Sequence, residues 1–201
     1  MLIALVQNSS ITSRLAWTLS RAAGLTALAI MIVVVILGLL SAGRVWARLG
    51  HPEWKKRAIA WHRPLAWVGL CSVILHVGLL YFDPWLKPGL KGLLLPFTMH
   101  KLSSRWWVTL GWLALWTMGF VIASFYQRRK LKSVPGGWKA LHRLGWITGV
   151  LIIVHALGSG TDLKSGWPRD IVLTFALGST VLFLVRLIFW RGDSTQSPSR
   201  T

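Results

Sequence analysis

Histidine supplies the chemistry-bearing side chains of this chain: His51, His62, His76, His100, His142 and His155. Four of the six fall inside long apolar runs, two in residues 62–82 and two in residues 140–158. An ionisable side chain in hydrocarbon is costly, so each of those imidazoles needs a partner that uses its nitrogens. A lone histidine in such a place is met by an interhelical hydrogen bond. Two per run, on two runs, at nearly equal spacing, point instead to paired metal ligands.

His76 follows His62 by fourteen residues, which on an α-helix is a rise of about 21 Å and a return to nearly the same face. His155 follows His142 by thirteen, a rise of about 20 Å but with an angular offset of roughly 140°. The axial match is good and the angular match is poor. A local 3₁₀ or π segment, or a strong helix crossing, is therefore expected near Gly145, Thr148 and Gly149. The two runs are otherwise versions of one another: His-Arg, then a Trp and a Gly in either order, then a second His before small residues.

If the two runs are parallel, His62 pairs with His142 and His76 with His155. Two axial imidazoles per site in a four-helix setting are the ligand set of an electron-carrying b-type haem, with both axial positions filled. Two haems b are expected, with His62, His142, His76 and His155 as iron ligands. Arg63 and Arg143, each beside the first histidine of its run, are candidates for charge-assisted bonds to haem propionates. Both also belong to the basic clusters that orient a membrane protein. His51 and His100 lie in charged loops and are expected to be solvated.

The elements that must position these residues are membrane helices. Hydrophobic residues make up 54% of the 201, above the soluble norm. About twenty apolar residues cross a bilayer as helix, and five segments reach that length: 17–41, 62–82, 106–126, 140–158 and 169–190. The fold class is all-α, an integral membrane bundle of about five transmembrane helices over residues 17–190. Residues 1–16 form a short N-terminal segment, too long in its following run for a cleaved leader, and 191–201 a polar, disordered tail.

Formal charge is +18, from 23 basic and 5 acidic residues. A nucleic-acid binder would spread such charge over a soluble face; here it sits in short blocks between apolar runs, so no nucleic-acid partner is expected. Arg44, Arg48, Lys55, Lys56, Arg57 and Arg63 precede or open the second run, and Arg128, Arg129, Lys130, Lys132, Lys139 and Arg143 the fourth. The loops after the second and fourth runs are less basic: Lys87, Lys91, Lys101 and Arg105, then Lys164 and Arg169 offset by Asp162 and Asp170. The positive-inside rule then places the N-terminus outside, the C-terminus in the cytoplasm and the chain in the plasma or inner membrane. Nine of the fourteen tryptophans, from Trp46 to Trp190, fall near span ends as an interface belt, while Trp67, Trp112, Trp116 and Trp146 lie deeper, in packing positions. Cys71, the single cysteine, is read as a buried thiol and leaves no intrachain disulfide or cysteine-ligated metal site.

These residues resemble the ferric reductase-like transmembrane domain of the superfamily that includes NADPH oxidases and yeast ferric reductases. The carriers are His62-x13-His76, His142-x12-His155 within Trp138 to His155, Leu95-Pro96-Phe97-Thr98 with Arg105-Trp106, and Gly158-Ser159-Gly160-Thr161-Asp162. The resemblance covers roughly residues 20–190 and includes the same irregular spacing. It implies two stacked b-haems on the two histidine pairs, and electron transfer from a cytoplasmic or membrane donor, a flavin reductase subunit or a quinol, to an outer acceptor such as ferric iron, dioxygen or a partner protein. No flavin or nicotinamide segment follows the last run, and Gly158-x-Gly160 is not a dinucleotide fingerprint; a bound flavin has no motif here. A haem-binding membrane subunit of a periplasmic reductase, such as a methionine sulfoxide reductase system, shares the fold and the fourth-run histidines and stays open. So does a transporter with intramembrane histidines, which predicts acidic partners inside the spans.

Overall fold

The computed structural model describes residues 2–41, 51–83, 89–95, 97–98, 102–133 and 137–190. Every regular element among them is helical. In chain order they are α1 (Leu2–Ser41), α2 (Pro52–Leu80), α3 (Gly89–Leu94), α4 (Leu102–Tyr126), a 3₁₀ turn at Lys130–Ser133, α5 (Gly137–His142), α6 (Gly145–Ser159), a 3₁₀ turn at Thr161–Leu163, and α7 (Trp167–Trp190). Five stretches are long and apolar enough to cross a membrane: Arg14–Ser41, Glu53–Leu80, Arg105–Tyr126, Gly137–Ser159 and Trp167–Val185. The N-terminal segment expected over 1–16 is helix continuous with the first span from Leu2 onward. Residues 191–201, His100 and the loop cations Arg44, Arg48, Lys87 and Lys101 lie outside the described residues.

Sequence chemistry accounts for the helix boundaries that matter to the site. Pro52 starts α2 in the first turn, where its fixed φ suits the helix and its missing N–H is not needed. The helix therefore begins ten residues before His62 and carries the basic block Lys55-Lys56-Arg57 on its first turns. Pro64 lies inside α2 and withholds one backbone hydrogen bond, which membrane helices tolerate when neighbours re-satisfy the freed carbonyl.

The fourth span is two rods. α5 ends on His142 and α6 starts at Gly145. Across the junction the Leu144 N–H donates to Leu141 and the Trp146 N–H to Arg143, both at 3.0 Å, so two successive turns are of the tight i→i−3 kind. Each residue of such a turn advances about 120° instead of 100°, which removes roughly 40–60° of the 140° offset expected for an ideal helix. The remainder no longer matters in the same way, because His142 and His155 sit on different rods and each rod aims its own histidine. Gly145, a poor helix former, marks the break.

Packing divides the bundle into two helix pairs. α1 lies along α2, α4 lies along α6, and α1 bridges the pairs through lighter contacts with α6 and α7. The histidine-bearing helices α2 and α6 do not form a packed pair. Met31 and Val34 of α1 meet Met118 of α4 and, around them, Leu65, Leu70 and Val73 of α2. A second cluster joins Leu28 of α1 to Leu163 and Val172, with Ile152 and Ile153 of α6 packed on it.

This core is small for the number of large apolar residues because most of them face outward, Trp61, Ile74, Trp116 and Leu177 among them. Lipid tails are as apolar as leucine, so a spanning helix gains little by turning such residues inward. The same reasoning corrects the reading of Cys71, which is exposed on α2 rather than buried. Beside the large core residues Leu28, Met31, Val34 and Met118, the helices α1, α4 and α6 turn small or hydroxylated side chains inward: Ser20, Ala27, Thr109, Ala114 and Thr148. The Thr148 hydroxyl, 2% exposed, donates across to the Thr117 hydroxyl of α4 at 3.0 Å.

Candidate functional site

Each of the four intramembrane histidines is half-buried and turned toward a neighbouring helix, and three of them are held there the same way. His76 Nδ1 lies 2.8 Å from the Ser20 carbonyl of α1. His62 Nδ1 lies 3.0 Å from the Val34 carbonyl of the same helix. His155 Nδ1 lies 2.7 Å from the Trp107 carbonyl of α4. A carbonyl can only accept, so Nδ1 carries the proton in all three and Nε2 is left with its lone pair. A backbone carbonyl on Nδ1 is the arrangement that fixes the tautomer and ring of a metal-ligating histidine.

The carbonyls are reachable because of glycines. One turn beyond each acceptor stands Gly24, Gly38 or Gly111, and the imidazole lies against it. A Cβ on Gly111 would stand 2.7 Å from His155 Cε1, one on Gly24 2.9 Å from His76 Nδ1, and one on Gly38 3.3 Å from His62 Cε1. α1 repeats the motif at the histidine spacing, since Ser20/Gly24 and Val34/Gly38 are fourteen residues apart, as are His62 and His76. Antiparallel α1 and α2 thus mesh two rings into two notches.

α4 would repeat it at Val121 and Phe125, fourteen beyond Trp107 and Gly111. Phe125 takes the place of a glycine. The Val121 carbonyl is near His142, yet no bond of normal geometry closes, and His142 Nδ1 is buried without a hydrogen-bond partner among the described residues. An aromatic ring of its own helix lies beside it instead. Trp138 meets the His142 ring edge-on at 5.4 Å, and Phe125 meets Trp138 at 5.7 Å.

The first pair comes together across the gap between α2 and α5: the His62 and His142 ring centroids are 6.0 Å apart, inclined by 65°. Two imidazoles on opposite sides of one metal, each with a bond of about 2 Å to nitrogen, would hold their centroids about 6 Å apart. His76 and His155 are held one on each helix pair, by carbonyls of α1 and of α4. No group of three or more His, Cys, Asp or Glu is assembled among the described residues. The donor set, the carbonyl-fixed rings and the glycine notches all fit haem.

Arg63 lies at the His62 end with its guanidinium 5.0 Å from the centre of the Phe125 ring, which Arg128 also approaches, at 4.6 Å. Arg143 is exposed at the junction of the two rods. His51 is exposed at the start of α2, 3.3 Å from Glu53. The deeper tryptophans have partners away from the histidine pairs: Trp67 donates to Tyr126 Oη at 2.9 Å, Trp112 stacks on Trp116, and Trp146 lies parallel to Phe183 at 4.4 Å.

Three features of the site were not foreseen from the sequence. The glycine notches were signalled by Gly24-x13-Gly38 copying the spacing of His62-x13-His76. Trp107 had no such signal: its carbonyl holds His155 while its indole lies against Gly158, where a Cβ would run into the ring. The third is a bidentate ion pair between Arg21 of α1 and Asp162, signalled only by a cation within the first span. The chain matches no family model, no curated protein and no solved structure.

Proposed function

We propose that the chain is a membrane-embedded b-type cytochrome of the ferric reductase-like kind, holding one haem between His62 and His142 and a second between His76 and His155. In this reading the N-terminus is outside, the C-terminus is cytoplasmic, and the first pair lies toward the cytoplasm of a plasma or inner membrane. The chain conducts electrons from a flavin reductase subunit or a membrane quinol on one side to an outer acceptor, ferric iron, dioxygen or a partner reductase, on the other.

The observation that carries the proposal is the common seat of His62, His76 and His155, each with Nδ1 spent on a backbone carbonyl of another helix and Nε2 left for a metal. Hydrogen-bonded structural histidines would use both nitrogens, or whichever lies nearer, and would need no glycine opposite the ring. Haem held by His62, His142, His76 and His155 would supply one-electron redox chemistry. The carbonyls make the imidazoles stronger donors, and the apolar helices keep water from the metal. Arg63 and Arg143 stand at the His62–His142 end, where cations favour binding of propionates.

Absorption spectroscopy of the full-length protein, expressed with adequate haem supply, tests the proposal. A Soret band with two haems per chain is expected, falling to one in each single histidine-to-alanine variant. Absence of a Soret band from folded protein refutes the reading. Retention of both haems in His76→Ala or His155→Ala refutes the pairing.

A further inference from the structure

The second histidine pair sits on two helices that do not pack on each other, and the pair Arg21–Asp162 links α1, which holds His76, to the turn that follows the helix of His155. Arg21 Nε donates to Asp162 Oδ2 at 3.0 Å, and its terminal nitrogen donates to Oδ1. Arg21 follows Ser20, the residue whose carbonyl holds His76 and whose hydroxyl, 3.2 Å from the His76 carbonyl, bonds back to α2. Ser20 is only 1% exposed. Asp162 lies three residues past the end of α6, in the 3₁₀ turn that Leu163, 2% exposed, pins into the core against Ile152, Ile153 and Ala156. Hydrogen bonds thus tie His76 to Ser20 and the adjacent Arg21 to Asp162, a residue that follows His155 by seven along the chain.

We infer that Arg21 and Asp162 are positioning residues that set the distance and register between His76 and His155. The inference rests on the haem reading above. A forked guanidinium–carboxylate contact fixes orientation as well as distance. It adds direction to the Leu28–Leu163 contact between the same two elements, since apolar contact alone lets helices slide with little change in burial. The side chains are 40% and 29% exposed, a boundary setting in which the pair is reachable by water and adds little to overall stability. Its effect belongs to the geometry of one site.

The test uses the full-length chain in two backgrounds. His62→Ala leaves only the haem at His76–His155, and His76→Ala leaves only the other. In the first background Arg21→Ala and Asp162→Ala are expected to weaken haem binding about tenfold, the low end for loss of a group supporting metal ligands, and to shift and broaden the low-spin ferric signal in electron paramagnetic resonance. The exchanged pair Arg21→Asp with Asp162→Arg, and the conservative Asp162→Glu, are expected to restore most of the affinity and the signal.

In the His76→Ala background the same substitutions should leave haem binding within twofold, with helicity unchanged by circular dichroism. Unchanged affinity and spectrum in the first background overturn the clamp while leaving the haem reading intact. Equal losses in both backgrounds also overturn it, because they mark general destabilisation. Folded wild-type protein without haem overturns the haem reading and the clamp together.

Discussion

Gly111→Ala adds one methyl group to α4 and places it 2.7 Å from His155 Cε1 and 2.8 Å from Nδ1. Carbon atoms rest at about 3.5–4.0 Å, so the imidazole has to retreat by roughly 0.7 Å or more. Moved that far, Nδ1 stretches its 2.7 Å contact with the Trp107 carbonyl beyond the 3.2 Å or so at which such bonds remain useful. Overfilling a fitted space costs about 1–3 kcal/mol, equivalent to about 5- to 150-fold in affinity.

The helix itself gains, because alanine is better than glycine by about 1 kcal/mol in a helix interior. Haem affinity at the His76–His155 site should therefore fall while the apoprotein becomes no less stable, and defects of packing alone do not give that pair of signs. Titrating haem into apoprotein in the His62→Ala background reads the affinity, and thermal unfolding of the apoprotein reads the stability.

The other glycines grade the effect. Gly24→Ala, at 2.9 Å from His76 Nδ1, should be nearly as damaging. Gly38→Ala, at 3.3 Å from His62 Cε1, needs the ring to give by only a few tenths of an ångström, and should cost about threefold or less. Gly78→Ala on α2, with nothing within 4 Å, should cost nothing. A Gly111→Ala protein that binds haem within threefold of its parent, or a Gly78→Ala protein that loses as much, would refute the seat-and-ligand reasoning.

Three further outcomes are expected. His142, whose Nδ1 lacks the carbonyl that the other three have, should be the ligand displaced first, so carbon monoxide added to the reduced protein should react at the His62–His142 haem before the other; equal reactivity, read from the Soret bands of the single-haem variants, contradicts this. Thr148→Val removes the bond to Thr117 and should cost about 0.6 kcal/mol, the average for side-chain bonds between membrane helices, seen in detergent unfolding with the haem spectra unaltered. Removing haem should lower the unfolding temperature, by the equivalent of about 2.7 kcal/mol when free haem stood at a hundred times its dissociation constant; an unfolding curve indifferent to haem is the contrary result.

The spans and the candidate ligands were legible in the sequence because length, hydropathy and a few intramembrane charges are strong one-dimensional signals. The His142–His155 spacing even showed that something irregular had to lie between them, with Gly145 among the places marked. What was not legible is pairwise. That Ser20 rather than a neighbour offers its carbonyl to His76, or that Asp162 answers Arg21 instead of Lys164 or Arg169, depends on the register of two helices far apart in the chain. The start of the second helix was missed by about ten residues, at Pro52, because the basic block Lys55-Lys56-Arg57 reads as loop by composition although the helix runs through it. Cys71 was misjudged on a soluble protein's logic, in which apolar neighbours imply a core.

The division into α1–α2 and α4–α6 pairs gives the asymmetry of the four seats a physical reason. α1 is one unbroken helix with two equivalent notches, and α2 is one unbroken helix with two rings at the same period, so a single register seats both. α4 has a notch at Gly111 but a phenyl ring at Phe125, and a continuous partner in the same register would drive its second histidine into that ring. The fourth span has its histidines one residue closer and breaks at Arg143–Leu144, so that His155 of α6 keeps the surviving notch while His142, at the end of α5, lies against Trp138 of its own helix. The cost is the lost carbonyl. The His142 ring lies 6.0 Å from that of His62. Phe125→Gly should then leave the break in place, since the thirteen-residue spacing is unchanged, and should loosen His142 rather than seat it. Restoring a carbonyl seat would require both the glycine and the missing residue.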